Sequence, residues 1–494
     1  MQKFFISTTI PYVNGDAHIG HAQEFVEADV IARYRRAQGD EVFFLTGTDE
    51  NSLKNVQAAE KAGVPVGEFV REYAKRFRDL ADHLHISYDD FIRTTEERHI
   101  RGAQKLWQAC DTRGDIYTKK YRGFYCVGCE LFVLEKDLEN GLCPEHKTEP
   151  EVVEEKNYFF RLSQYAKDLE RLIVSGELKI IPEKRAHEML SFIREGLEDF
   201  SISRSNERAK NWGVSVPGDP SQKMYVWFDA LSNYINAVSY GNNEKQFEEW
   251  WQENPNIVHI LGKGVARFHA IYWPAMLLSA GIRLPREEFI HGYFTIDGQK
   301  MSKSLGNVVN PADLVKKYGT DAVRYFLLRG ISAYEDGDFS TARFEELYNA
   351  DLANGIGNFV QRLTTLAEKA GITNADLSEE VFGSEISRAK DRIQETLLRY
   401  EFHEAIGVIP SLVAAGDRYV NETKVWELEG TEQKKVLGNL ASLALNIGNL
   451  LYIFLPETAE EILRRFGLTI AEVRSGKGGK LVIKKGKPLF ERLV

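Results

Sequence analysis

Runs of apolar residues and amphipathic stretches succeed one another along this chain, and their periods outline its elements. "KFFISTTI" (Lys3–Ile10) predicts a short buried strand. A helix is expected over Ile19–Gln38, closed by Gly39, a common helix terminator. "EVFFLTGT" (Glu41–Thr48) reads as a second buried strand, and helical patterns follow at Ser52–Ala62 and Val66–His85. Strand, helix, strand in this order imply a parallel sheet. From about Lys119 to Asn157 the pattern breaks into short β-like pieces with Gly and Cys. Alternating α/β texture resumes at "YVWFDALSNYINA" and "NIVHILGK". It continues through a helix over "ARFHAIYWPAMLLSAG" and a strand "EFIHGYFTI". A polar loop, "DGQKMSKSLGNVVNP", leads to the helix "ADLVKKYGTDAVRYFLLRG". From about Glu345 to Arg465 nearly everything is helix-patterned, which predicts a bundle. The simplest organisation is a split α/β domain carrying an insertion, followed by that bundle.

Composition narrows the class. With 494 residues, 43% hydrophobic and 28% charged, the chain has the make-up of an ordinary globular protein of several domains. No signal-peptide h-region follows "FFI", and no membrane span is expected. The most apolar late stretch, "LASLALNIGNLLYIFLP", is broken by Asn446, Gly448 and Asn449 and suits a buried bundle helix. A net charge of −10 argues against a nucleic-acid coat protein, yet binding depends on local charge. Arg474–Arg492 carries seven basic residues and one acidic residue, and reads equally as a solvated basic tail. Four cysteines make no disulfide scaffold, and three of them cluster with a histidine.

Three stretches carry chemistry. "HIGH" places His18, Gly20 and His21 after a strand, at the mouth of a helix. Unpaired backbone N–H groups there make an anion site, and Gly20 permits close approach of a ligand. The spacing is neither a GxGxxG fingerprint nor a Walker loop. "KMSKS" (Lys300, Met301, Ser302, Lys303, Ser304) sets two lysines three apart on a loop, able to neutralise a leaving pyrophosphate. "CVGC" (Cys126, Cys129), 13 intervening residues and "CPEH" (Cys143, His146) form two knuckles suited to tetrahedral Zn²⁺. Four protein ligands leave no open position, so one structural zinc per chain is expected. A Cys–Cys disulfide is the alternative, and it leaves one thiol and the histidine without a role. Cys110 lies outside the cluster as a buried small hydrophobe.

HIGH followed by KMSKS resembles the class I aminoacyl-tRNA synthetases. The surroundings "TIPYVNGDAHIGH", "YVWFDALSNY", "GKGVARFHAIYWPAML" and "GYFTIDGQKMSKSLGN" are similar to the methionyl branch of that family over essentially the whole chain. The resemblance implies an α/β fold: a Rossmann-like parallel sheet, a zinc-bearing insertion and a C-terminal helical anticodon-binding bundle. It implies joining of L-methionine to ATP, release of pyrophosphate, and transfer to the 3′ end of tRNA(Met), initiator and elongator, with Mg²⁺ accompanying ATP. His18, Gly20 and His21 would hold ATP phosphates, and the KMSKS residues, Lys300 and Lys303 foremost, would close over them. Ile10, Tyr12, Trp227, Ala230, Tyr234, Phe268, His269 and Trp273 would surround methionine, with Asp49 on its ammonium group. Arg204 matches the family arginine near the reacting centre. Asn358 and Arg362, four apart on one helix face, and Trp426, a stacking plane, match the anticodon-reading residues.

The implied boundaries are 1–116 and 223–298 for the two halves of the catalytic domain. The connective-peptide insertion takes 117–222, its C-terminal part returning to the catalytic domain. The KMSKS loop and stem-contact linker take 299–344, the anticodon bundle 345–465 and a C-terminal segment 466–494. A cytoplasmic monomer is expected, since no further C-terminal domain follows. Two stretches depart from the family pattern: "TGTDENS" has Asn51 and Ser52 where "TGTDEHG" is more familiar, and Gly264 stands where an acidic residue is frequent. The alternatives are another class I synthetase, for whose larger editing insertion there is little space, and a non-catalytic tRNA-binding paralogue, against which the intact motifs argue.

Overall fold

Strand Lys3–Ser7 (β1) runs through the middle of a six-stranded sheet. Its partners are Glu41–Thr48 (β2), Asp90–Arg93 (β3), Lys179–Ile181 (β4), Ile257–Gly262 (β5) and Glu287–His291 (β6), in the spatial order β3-β2-β1-β5-β6-β4. β1 pairs in parallel with both β2 and β5, as do β2 with β3 and β6 with β4. Phe5 and Ile6 of β1 are fully buried, as expected for a strand covered on both faces. The chain passes outward from β1 to β2 and β3 on one side and returns to β5 and β6 on the other. The carboxyl ends of β1 and β5 therefore flank a topological switch point, where open α/β sheets bind ligands. The computed structural model describes residues 2–126, 131–133, 138–144, 147–300, 308–376, 381–475 and 481–493.

The chain divides into two compact units, one of residues 1–17, 35–80 and 87–290, the other of residues 18–34, 81–86 and 291–494. The sheet belongs to the first. So does an antiparallel pair, Ile116–Cys126 with Glu151–Phe160, in register from Ile116 opposite Phe160 to Tyr125 opposite Glu151. A short strand, Leu131–Val133, pairs with the end of Ile116–Cys126, so the region combines one long ribbon with a short piece. Apart from Val152, the ribbon's exposed residues are polar, which hides its length from a search for apolar runs.

The second unit holds most of helix Ile19–Ala37 and, among other helices, Asn358–Lys369, Gly383–Leu397, Phe402–Thr423, Gly430–Leu451 and Pro456–Arg465. Arg324, fully buried, ties this unit together: its guanidinium meets Asp29 at 2.7 Å and donates to the carbonyls of Leu84 and Phe454. A buried charge is tolerable only when so paired. No described helix is long and apolar enough to cross a membrane.

Two expected elements break at glycines. The run Glu288–Ile296 ends as β6 at His291 and restarts at Phe294–Ile296 in a different sheet. A Cβ at Gly292 would fall 2.0 Å from the Glu335 carbonyl oxygen, so only glycine fits that bend. The helix over Ala312–Gly330 is two helices, Pro311–Tyr318 and Thr320–Arg329, because Gly319 has φ +87°.

Candidate active site

The HIGH turn fixes its own chemistry. His18 Nδ1 accepts the Gly20 backbone N–H at 3.2 Å, and His21 Nδ1 accepts that of His18 at 3.1 Å. Each neutral ring therefore carries its proton on Nε2, as a donor. The rings stack 3.8 Å apart at 24°. A Cβ on Gly20 would press on the His18 ring at 3.1 Å. The result is a pair of imidazole donors at the head of a 19-residue helix, whose N-terminus itself favours anions.

The same helix holds both ends of the lysine-bearing segment. The Ile19 N–H donates to the Val309 carbonyl, just past that segment, at 3.2 Å. Before it, His291 Nε2 meets Glu24 Oε2 at 3.1 Å. Glu24, Glu27 and His291 are all buried, and Gln23 donates to Glu27 Oε1 at 2.7 Å. Burial raises Glu27 to about 7, against the opposing pull of His291. Burial alone would depress His291, but the hydrogen bond to Glu24 and the charges of Glu27 and Glu24 carry it up to about 9. Lys300 ends a two-residue strand, while Met301, Ser302, Lys303 and Ser304 lie outside the described residues.

In the first unit, six of the expected pocket residues form one ring cluster. Trp227 stacks on Phe268 at 3.7 Å and 5°, and lies 6.2 Å from Tyr12 and 6.3 Å from His269. Tyr234 joins His269 and Trp273 at 5.8 and 6.0 Å. His269 Nδ1 faces the Val265 carbonyl at 2.9 Å, so that nitrogen carries the proton, and Nε2 accepts from the Tyr234 hydroxyl at 2.7 Å. Ala230 is buried and Ile10 packs on the same core. The buried indole N–H groups of Trp227 and Trp273 have no acceptor among the described residues. Such an aromatic wall suits an apolar, polarisable side chain.

Asp49 adjoins this cluster: it bridges to Tyr12, and its N–H donates to the Pro11 carbonyl at 2.9 Å. Its Oδ1 accepts the Asn51 N–H at 3.0 Å. Asn51, one of the two departures, is a structural hub. Its Nδ2 donates to Asp229 Oδ2 at 2.7 Å and to the Thr94 carbonyl at 3.2 Å. Asp229 Oδ1 meets His99 Nε2 at 2.7 Å, and His99 is held in turn by Asn236. Ser52 caps helix Leu53–Ala62 by accepting the Lys54 N–H. Gly264 lies in a short helical turn, Lys263–Val265, that ends on the carbonyl used by His269.

Sequence reasoning overlooked Asp229, His99 and Asn236, and equally Glu24, Glu27, His291 and His259. The available signal was a polar residue inside an apolar run, as Asp229 is in "VWFDAL". His259 sits 4.2 Å from the Tyr234 ring with Nδ1 at 2.7 Å from Ser7 Oγ. Burial, with the nearby His269, holds it well below the usual imidazole range, hence neutral.

The remaining predicted residues fall elsewhere. Arg204 is buried between the rings of Tyr225 and Tyr125, at 4.6 and 5.1 Å, and donates to the Ser203 carbonyl and Ser201 Oγ. Cys126 and Cys143 are buried, and the Lys147 N–H donates to the Cys143 carbonyl at 2.8 Å. Cys129 and His146 lie outside the described residues, and among those described no cluster of three metal-binding side chains occurs. Burial pushes the Cys110 thiol up to about 12, which makes it unreactive. In the second unit, Asn358 is exposed at the start of helix Asn358–Lys369. Arg362 on the same helix lies 5.8 Å over the half-exposed Trp426 ring and is held by Asn421 and Asp417.

The family model described as tRNA synthetases class I (M) matches residues 4–150 and 133–364, and the chain belongs to that family. Within it, the chain is similar to proteins named methionine–tRNA ligase. It is 41% identical to that of Thermotoga maritima, over 99% of this chain and 80% of the relative. It is 39% identical to that of Brucella suis, over 94% and 91%. It superposes on a Mycobacterium tuberculosis methionyl-tRNA synthetase in complex with methionyl-adenylate with a TM-score of 0.93 at 35% identity, covering 100% of both chains.

Proposed function

We propose that the chain is a methionine–tRNA ligase, which activates L-methionine with ATP and transfers the methionyl group to the 3′-terminal adenosine of tRNA(Met), initiator and elongator. The observation that carries this reading is the helix Ile19–Ala37, which bears both histidines and is bonded on either side of the KMSKS segment, to His291 and to Val309. One element thus serves both motifs.

In the first step a methionine carboxylate oxygen attacks the α-phosphorus of ATP. The new P–O bond forms as the bond to the bridging oxygen breaks, and pyrophosphate leaves with that electron pair. The protein's task is positioning and charge stabilisation. His18 and His21 offer Nε2–H donors to phosphate oxygens, and Gly20 admits the phosphates close to the helix end. Lys300 and Lys303, with Met301, Ser302 and Ser304 of their loop, neutralise the departing pyrophosphate. Mg²⁺ would accompany ATP and would screen its phosphates. Asp49 takes the ammonium group. The rings of Tyr12, Trp227, Tyr234, Phe268, His269 and Trp273, with Ile10 and Ala230, enclose the thioether. Arg204 serves near the reacting centre.

In the second step the terminal ribose hydroxyl attacks the adenylate carbonyl and AMP leaves. Arg362 and Trp426, already in contact, read the anticodon together with Asn358. Cys126, Cys129, Cys143 and His146 would hold one zinc. The two described cysteines of the set, Cys126 and Cys143, are buried, and sulfur ligands suit that soft cation. The zinc would close the fold of the insertion (117–222) and supply no catalysis. The halves 1–116 and 223–298, the linker 299–344, the bundle 345–465 and the segment 466–494 remain the working division. The chain acts as a cytoplasmic monomer.

The test is ATP–pyrophosphate exchange driven by a panel of amino acids. Methionine should support exchange far above leucine, isoleucine, valine and cysteine. No methionine-dependent exchange in zinc-replete protein overturns the reading.

A further inference from the structure

Three observations meet at His291. It is the last residue of β6, directly before the Gly292 bend that admits no side chain. Its Nδ1 lies 2.8 Å from the Gly292 carbonyl, so that nitrogen carries a proton, and its Nε2 lies 3.1 Å from Glu24 Oε2. Glu24 stands one helical turn after His21 on the same helix. Glu27, the next turn on, faces the same imidazole, with its Oε1 held by Gln23 and its Oε2 buried without a partner among the described residues. His291 is only 4% exposed and Glu27 only 1%. A buried histidine whose two ring nitrogens face a carbonyl and a carboxylate, both acceptors, is suited to be a cation.

We propose that His291, as an imidazolium held by Glu24, is a positioning residue that sets the stem of the KMSKS segment against the helix bearing His18 and His21. It touches no substrate. From His291 the chain passes Gly292 into strand Phe294–Ile296, which pairs with Gln299–Lys300, so the placement of His291 sets the base of that hairpin. The Ile19–Val309 bond ties the chain beyond the segment to the same helix. Glu24 links the two halves of the device, since a shift of its helix turn also shifts His21. This inference rests on the synthetase reading of the site.

The experiment compares the wild type with His291→Gln, Glu24→Gln and the double variant, all as full-length chains. Exchange kinetics are measured against ATP and methionine separately, with methionine binding read from tryptophan fluorescence and thermal melting as a fold control. Glutamine keeps a hydrogen-bonding side chain and removes the charge. The expected result is a loss of about 10- to 100-fold in kcat/KM for ATP, the scale on which an ångström of misplacement acts. Methionine affinity should stay within about twofold, since uniform binding there is untouched. The double variant should lose little more than either single one, because both break the same link. Glu24→Asp should recover part of the activity. Unchanged ATP kinetics in both single variants overturn the proposal. So does a parallel loss of ATP kinetics, methionine affinity and melting temperature, which marks a packing role. A wild type without methionine-dependent exchange would instead sink the synthetase reading.

Discussion

Glu288 offers a sharp test of the electrostatic reasoning. It lies on β6 opposite Ile180 of β4, is fully buried, and neither carboxyl oxygen has a hydrogen-bond partner among the described residues. Burial, with no opposing cause, raises it from 4.5 to about 8. In the unfolded chain the group loses its proton near its ordinary value, while in the fold it keeps it up to about pH 8. Between those values the folded state binds more protons, so stability falls as pH rises. The slope approaches about 1.4 kcal/mol per pH unit, which sums to roughly 3 kcal/mol between pH 5 and pH 8. Glu288→Gln is close in shape and does not titrate. Urea unfolding followed by tryptophan fluorescence, run on both proteins from pH 5 to 8.5, isolates this residue from every other titration. The variant should gain on the wild type by roughly 3 kcal/mol across that range and then level off. A difference that stays constant with pH would refute the assignment of a buried, protonated Glu288.

Other outcomes follow from the site. Lys303→Ala should lower the rate of exchange by about 100-fold while methionine binding changes little, because the lysine acts on charge that appears only as pyrophosphate leaves. Equal losses in both would place its action in the ground state. Trp426→Ala should impair aminoacylation by at least about tenfold and spare exchange, on the scale of about 1–3 kcal/mol per stacked base. An equal fall in exchange would make Trp426 a packing residue. Atomic emission should find one zinc per chain, lost in the variant Cys143→Ser together with part of the thermal stability. A full zinc complement in that variant would remove Cys143 from the ligand set.

The HIGH and KMSKS motifs were legible because each is short and local. HIGH needs only a strand end, a glycine and a helix start, all within a few residues, and the structure builds a proton-fixed histidine pair from them. The aromatic residues were named one by one through resemblance. The structure puts Tyr12, Trp227, Tyr234, Phe268, His269 and Trp273 into a single ring cluster. Asn51 looked like a loss, an amide where an imidazole is familiar. In the fold it donates to Asp229 and to the Thr94 carbonyl, so it carries hydrogen bonds of its own. The breaks at Gly292 and Gly319 were invisible to periodicity, since the apolar pattern runs straight through both.

The sequence by itself determined the α/β class, most of the long elements, the HIGH, KMSKS and Cys/His spacings, and the family. These depend on neighbours along the chain: periodicity, caps and spacings within one turn or loop. Only the tertiary structure decided which buried polar groups face one another. His99 meets Asp229 across 130 residues, and His291 meets Glu24 across 267. A buried carboxylate or imidazole takes its charge state from such partners and from lost water, which chain neighbours do not specify. For that reason Glu27, Glu288 and His291, unremarkable as letters, became the most informative titratable groups in the molecule.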